Sequence, residues 1–151
     1  MLHYTDKIKV ILVDDDEDDI DMFKTAFSKL KVKSTLQYFR NGVQVMEYFK
    51  DENSEIPHIL FLDLNMPLMG GKEVLYKLRA DERFRNLPIA IYSTSNLERD
   101  IEDTLSLGAN IYIVKPYDFK KLEKALENVL KVQWQYETSA LDISKYLMVI
   151  D

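Results

Sequence analysis

The chain has 151 residues, 46% of them hydrophobic, and no cysteine, so it carries core material for one domain and neither disulfides nor thiolate metal ligands. Its net charge of −6 disfavours nonspecific binding to nucleic acid or anionic membrane and leaves room only for a local basic patch. No apolar stretch is long enough to span a bilayer, the first six residues lack the build of a signal peptide, and the missing cysteines fit a reducing cytoplasm.

Apolar runs and amphipathic segments alternate along the chain. Lys7–Val13 reads as a strand, and residues 17–30 carry Ile20, Phe23, Ala26, Phe27 and Leu30 at helical spacing. Ser34–Phe39 reads as a second strand, and Asn41 caps a helix bearing Val45, Met46 and Phe49. His58–Leu62 is the third strand, introduced by Pro57. The loop from Asn65 to Gly71 precedes a helix with Val74, Leu75 and Leu78. Pro88–Tyr92 is the fourth strand. Ser95-Asn96-Leu97-Glu98 has capping-box spacing and predicts a helix ending near Gly108. Asn110–Val114 is the fifth strand, and Asp118 caps a last helix with Leu122, Ala125, Leu126, Val129 and Leu130. Five β-α units in series predict a mainly parallel α/β sheet, helices on both faces, and a site beyond the carboxyl ends of the strands.

Those ends carry the chemistry. Ile8 to Val13 runs into Asp14-Asp15-Asp16-Glu17-Asp18-Asp19, and Ile59 to Leu62 runs into Asp63. Ile89 to Tyr92 ends in Ser93-Thr94-Ser95, and Ile111 to Val114 ends in Lys115. Converging carboxylates repel one another, and a hard divalent cation relieves the repulsion. Carboxylates, a hydroxyl and a lysine together suit a metal-assisted phosphoryl acceptor. For Asp16, Glu17, Asp18, Asp19 and Asp21 a solvated surface is the expectation. His3 and His58 lack ligand spacing, and the glycines form no phosphate-cradling loop.

Over roughly residues 7–132 the chain resembles the receiver domain of two-component response regulators. The motifs are Ile11-Leu12-Val13-Asp14-Asp15, Phe61-Leu62-Asp63-Leu64-Asn65-Met66-Pro67 with Gly71, Leu87-Pro88 leading to Ser93-Thr94, and Tyr112-Ile113-Val114-Lys115-Pro116. The resemblance implies a flavodoxin-like, doubly wound five-stranded parallel sheet of order 2-1-3-4-5. It implies that Asp63 accepts the phosphoryl group, with Lys115 and Ser93 completing the catalytic set and Asn65, Thr94 and Lys115 holding the phosphoryl group. Mg²⁺ would be bound by Asp15, Asp63 and the carbonyl of Asn65, with Asp14 through water. Ser93 and Tyr112 would form the switch, the ring turning inward on phosphorylation. The Lys115–Pro116 bond would be the family's cis peptide. Gly70 stands where Asp is common, and Thr94 where Ala or Gly is frequent.

The implied function is a phosphorylation-dependent switch, a stand-alone receiver of residues 1–133 served by a histidine kinase or phosphotransfer protein and acting on a downstream protein. It is no enzyme beyond self-catalysed acceptance and slow autodephosphorylation. Two other classes compete with it. A hydrolytic phosphatase using Asp63 would want a general acid where Asn65 stands. An inert binding module would have lost an acid or the lysine. The tail after Lys131 is too short for a DNA-binding output domain. Residues 134–151 form an extension whose apolar residues Leu141, Ile143, Tyr146, Leu147, Met148, Val149 and Ile150 predict packing on the domain, on a second subunit as in a homodimer, or on the downstream target.

Overall fold

The computed structural model describes residues 7–131 and the backbone of residues 147–148. The strands are β1 (Ile8–Val13), β2 (Ser34–Phe39), β3 (Ile59–Leu62), β4 (Ile89–Ser93), β5 (Ile111–Val114) and β6 (Leu147–Met148). The helices are α1 (Glu17–Ser28), α2 (Gly42–Lys50), α3 (Gly71–Ala80), α4 (Glu98–Leu107) and α5 (Phe119–Lys131), with a 3-10 turn at Glu82–Phe84. All pairings are parallel, in the order β2-β1-β3-β4-β5-β6. The expected order of the first five strands is borne out. The addition is β6, two residues paired with Tyr112 and Ile113 of β5. The rest of the 134–151 extension lies outside the described residues.

Side chains alternate across a strand, and here the alternation sorts the core into two layers. Val10, Leu12, Ile59, Phe61, Ala90, Tyr92, Ile111 and Ile113 meet Ile20 and Phe23 of α1 and Leu122, Leu126 and Val129 of α5. Ile11, Val13, Leu60, Leu62, Ile89, Ile91 and Tyr112 meet Val45 and Phe49 of α2, and Val74, Leu75 and Leu78 of α3. Strands β1, β3, β4 and β5 are apolar on both faces because both faces are covered, while the edge strand β2 is more polar and partly exposed. The parity continues past the strand ends: Asp14, Asp63 and Lys115 share the phase of the α1/α5 layer, and Ser93 that of the opposite layer.

Caps fix where the helices start. Asp16 accepts from the Asp19 N–H at α1, and Asn41 accepts from the Gln44 N–H at α2. At α4 the expected Ser95 cap is not formed. The Ser95 hydroxyl donates to Asp100 and accepts from the Leu97 N–H, so this segment is a turn, and the helix begins at Glu98 after an extended Leu97. Gly108 closes α4 in the left-handed conformation at φ 103°, where a Cβ would be strained. Gly71 opens α3 against the β3 end: a Cβ there would lie 2.1 Å from the Asp63 carbonyl oxygen.

Candidate functional site

Four strand ends converge as the sequence predicts. Asp14 is fully buried and Asp63 is 5% exposed, while Asp15 faces solvent. One carboxylate oxygen of each of Asp14, Asp15 and Asp63 lies within 4.8 Å of the others. Lys115, buried at the end of β5, points its Nζ among them, 2.7 Å from Asp14 Oδ2 and 3.7 Å from Asp63 Oδ2. The Asp14 contact is an ion pair outside hydrogen-bond geometry. That buried oxygen therefore has charge compensation but no directed hydrogen bond. Such an oxygen, beside two further carboxylates and no nitrogen or sulfur ligand, suits a hard divalent cation.

The charges act on one another. Burial, with the Asp14 charge adding to it, pushes the Asp63 carboxyl up to about 7 against the pull of Lys115. Burial likewise raises Asp14, against the Lys115 ammonium and the hydrogen bond from the Asp16 N–H. Burial pulls Lys115 down, but Asp14, Asp19 and Asp63 outweigh it and carry the ammonium up to about 12. The Tyr92 ring lies 5.3 Å below this ammonium and floors the site.

Asp19 is the functional side chain that sequence reasoning missed. Its Oδ2 is 2.8 Å from Lys115 Nζ, and it is about one-third exposed. A signal was present. Asp19 lies one turn before Phe23, so the core-facing stripe of α1, run back to its first turn, reaches this carboxylate.

On the opposite parity sit the hydroxyls. Ser93 is fully buried, and its Oγ accepts from the Ser95 N–H at 3.1 Å. Tyr112 is fully buried, and its OH donates to the Ser95 carbonyl at 2.7 Å. The ring is turned inward, in one apolar cluster with Ile91, Leu75 and the partly buried Ile101 and Leu105 of α4. Burial raises its phenol pKa. Asn65 and Thr94 are exposed and line a cleft with Gly70, Lys72, Ser95 and Asp100 beside the acid cluster.

One expectation is corrected. No cis peptide occurs among the described residues, so Lys115–Pro116 is trans, and Lys115 reaches the acids with the bond in that form. His58 is structural: its Nδ1 accepts from the Lys9 N–H. His3 lies outside the described residues.

Residues 10–127 match the response regulator receiver domain. The chain belongs to this family. Chemotaxis protein CheY1 of Helicobacter pylori strain J99 is 34% identical over 123 residues, which is 82% of this chain and 97% of that protein. The phosphorylated cyanobacterial phytochrome response regulator RcpA is 28% identical, with a TM-score of 0.78 over 90% of this chain and 99% of its own. The Mn(2+)-bound form of response regulator Rcp1 is 26% identical, with a TM-score of 0.75 over 89% and 99%. As a receiver domain the chain serves phosphorylation-dependent signalling. Among the described residues no helix of this receiver domain is long and apolar enough to cross a membrane.

Proposed function

We propose that Asp63 accepts a phosphoryl group from the phosphohistidine of a histidine kinase or phosphotransfer protein, in an Mg²⁺-dependent reaction, and that the change is passed to a protein target. The observation carrying this is a buried strand-end carboxylate with two further carboxylates and a lysine ammonium around it. An Asp63 oxygen attacks phosphorus, the phosphorus–nitrogen bond of the donor breaks, and its electron pair leaves with the donor imidazole. Phosphate and carboxylate repel each other, so the acceptor needs positive charge at the point of contact. Lys115 supplies one such charge and keeps its proton throughout, since its neighbours hold it near 12.

Asp14, Asp15, Asp63 and the Asn65 carbonyl are the groups that would hold the cation. A divalent cation held there would supply further positive charge against the repulsion between carboxylate and phosphate. Ser93 and the Thr94 N–H are assigned to phosphoryl oxygens, and Tyr112 to transmission of the change. Asn65, which offers no proton to a leaving group, argues against phosphatase turnover.

Labelling with a small phosphodonor tests this. Wild type should take one acid-labile label only with Mg²⁺, and Asp63→Ala should take none. Undiminished labelling of that variant, or repeated turnover of phosphomonoesters, would sink the assignment.

A further inference from the structure

One half-buried serine connects both parts of the switch to a surface ion pair. Every polar atom of Ser95 is engaged. Its N–H donates to Ser93 Oγ, its carbonyl accepts from the Tyr112 hydroxyl at 2.7 Å, and its Oγ accepts from the Leu97 N–H. The same Oγ donates to Asp100 Oδ2 at 2.5 Å. Asp100 Oδ1 in turn takes Lys72 Nζ at 2.8 Å, and Lys72 also reaches Asp103 at 3.0 Å. Lys72 stands in the first turn of α3, and Asp100 and Asp103 stand on α4. Lys72 with Ser95 holds the Asp100 carboxyl below the usual carboxylate range. The chain Lys72–Asp100–Ser95–Tyr112 thus runs from α3 through α4 and the β4–α4 turn to β5.

We infer that Lys72 and Asp100 are positioning residues that clamp Ser95, and through it favour the inward position of Tyr112. This rests on the phosphoryl-acceptor role proposed for Asp63. Neither residue touches the acid cluster, so their effect on chemistry is indirect. If phosphorylation favours the inward ring, reciprocity requires that the inward ring favour phosphorylation. Releasing the clamp lets the β4–α4 turn and the ring populate other arrangements, and fewer molecules are then ready to accept. The ion pair lies at a partly exposed surface and is worth little for stability, so its loss should leave the fold intact.

The experiment is a double-mutant cycle on the rate of labelling by phosphoramidate in saturating Mg²⁺. Asp100→Asn and Lys72→Met should each slow labelling by roughly fivefold, the scale of one ordinary hydrogen bond. Lys72→Arg should restore most of the rate. In a Tyr112→Ala background, the Asp100→Asn and Lys72→Met changes should have no further effect, because the ring they hold is gone. A merely structural pair would give effects that add to Tyr112→Ala. Faster hydrogen exchange of the Leu97 amide in Asp100→Asn is the accompanying signature. Unchanged rates, additive effects, or no rescue by arginine would overturn the clamp. A wild type that takes no label at all refutes the acceptor role itself, and the clamp with it.

Discussion

Asp63 is expected to destabilise the metal-free fold, and Asp63→Asn to relieve it. Moving a carboxyl from 3.8 to about 7 disfavours the folded, charged form by on the order of 4 kcal/mol, at about 1.4 kcal/mol for each tenfold in proton affinity. The substitution also removes the Asp63–Lys115 attraction, though Lys115 keeps Asp14 and Asp19 as partners. About half the gain should therefore survive, roughly 2 kcal/mol. In a domain of this length that corresponds to a rise of about 4–8 °C in Tm. The sign follows from linkage. The folded carboxyl binds its proton more tightly than the unfolded one. Wild-type stability should therefore fall as pH rises from about 4 to about 7 and level off above. Urea denaturation with a chelator at pH 5 and pH 8 measures both quantities. The variant should lead clearly at pH 8 and by much less at pH 5, and millimolar Mg²⁺ should stabilise wild type more than the variant. Equal stabilities at pH 8, or a gap that widens toward pH 5, would refute the electrostatic account.

Three further outcomes are expected. Gly71→Ala should cost about 3 kcal/mol in urea unfolding, because the new Cβ meets the Asp63 carbonyl oxygen at 2.1 Å; a neutral result would mean that α3 shifts freely. Leu68 sits at φ 68° with its side chain 84% exposed. Leu68→Gly should therefore raise stability by about 0.5–1 kcal/mol in thermal or chemical melts, since relief of left-handed strain outweighs the added chain entropy; lower stability would refute this. Asp15→Ala should weaken Mg²⁺ binding in calorimetry more than Asp14→Ala, since Asp15 faces solvent with no ion pair among the described residues while Asp14 is tied to Lys115 and the Asp16 N–H; equal or reversed losses would contradict the ordering.

The sheet was legible because its strands are short β-branched and aromatic runs separated by capped amphipathic segments, and a parallel sheet wants that pattern. The acid cluster was legible because topology delivers strand ends to one edge. Asp19 was not, since a run of six acids gives no local hint which one turns inward; only the helical phase set by Phe23 decides it. The start of α4 was misread for a related reason. Ser95 has the spacing of a cap, but a carboxylate five residues on competes for its hydroxyl, and that contact depends on how α4 docks. The inward Tyr112 was beyond sequence reasoning altogether, since both positions of the ring use the same residues and differ only in packing.

The alternation that divides the core has a consequence for how a signal can travel. Asp14, Asp63 and Lys115 belong to the phase of one layer, and Ser93 and Tyr112 to the phase of the other. The sheet itself is the partition between chemistry and readout. Where a strand crosses that partition, the crossing is a single peptide link: Tyr92 lies under the lysine, and Ser93, the next residue, bonds to the turn that holds the tyrosine. On the proposed reading, news of a new anion passes at the ends of β4 and β5, through the Ser93 hydroxyl and the Ser95 N–H that bonds it. Such a wall also insulates. The α3–α4 side can exchange residues to suit a different listener while the acids on the far side keep the same reaction.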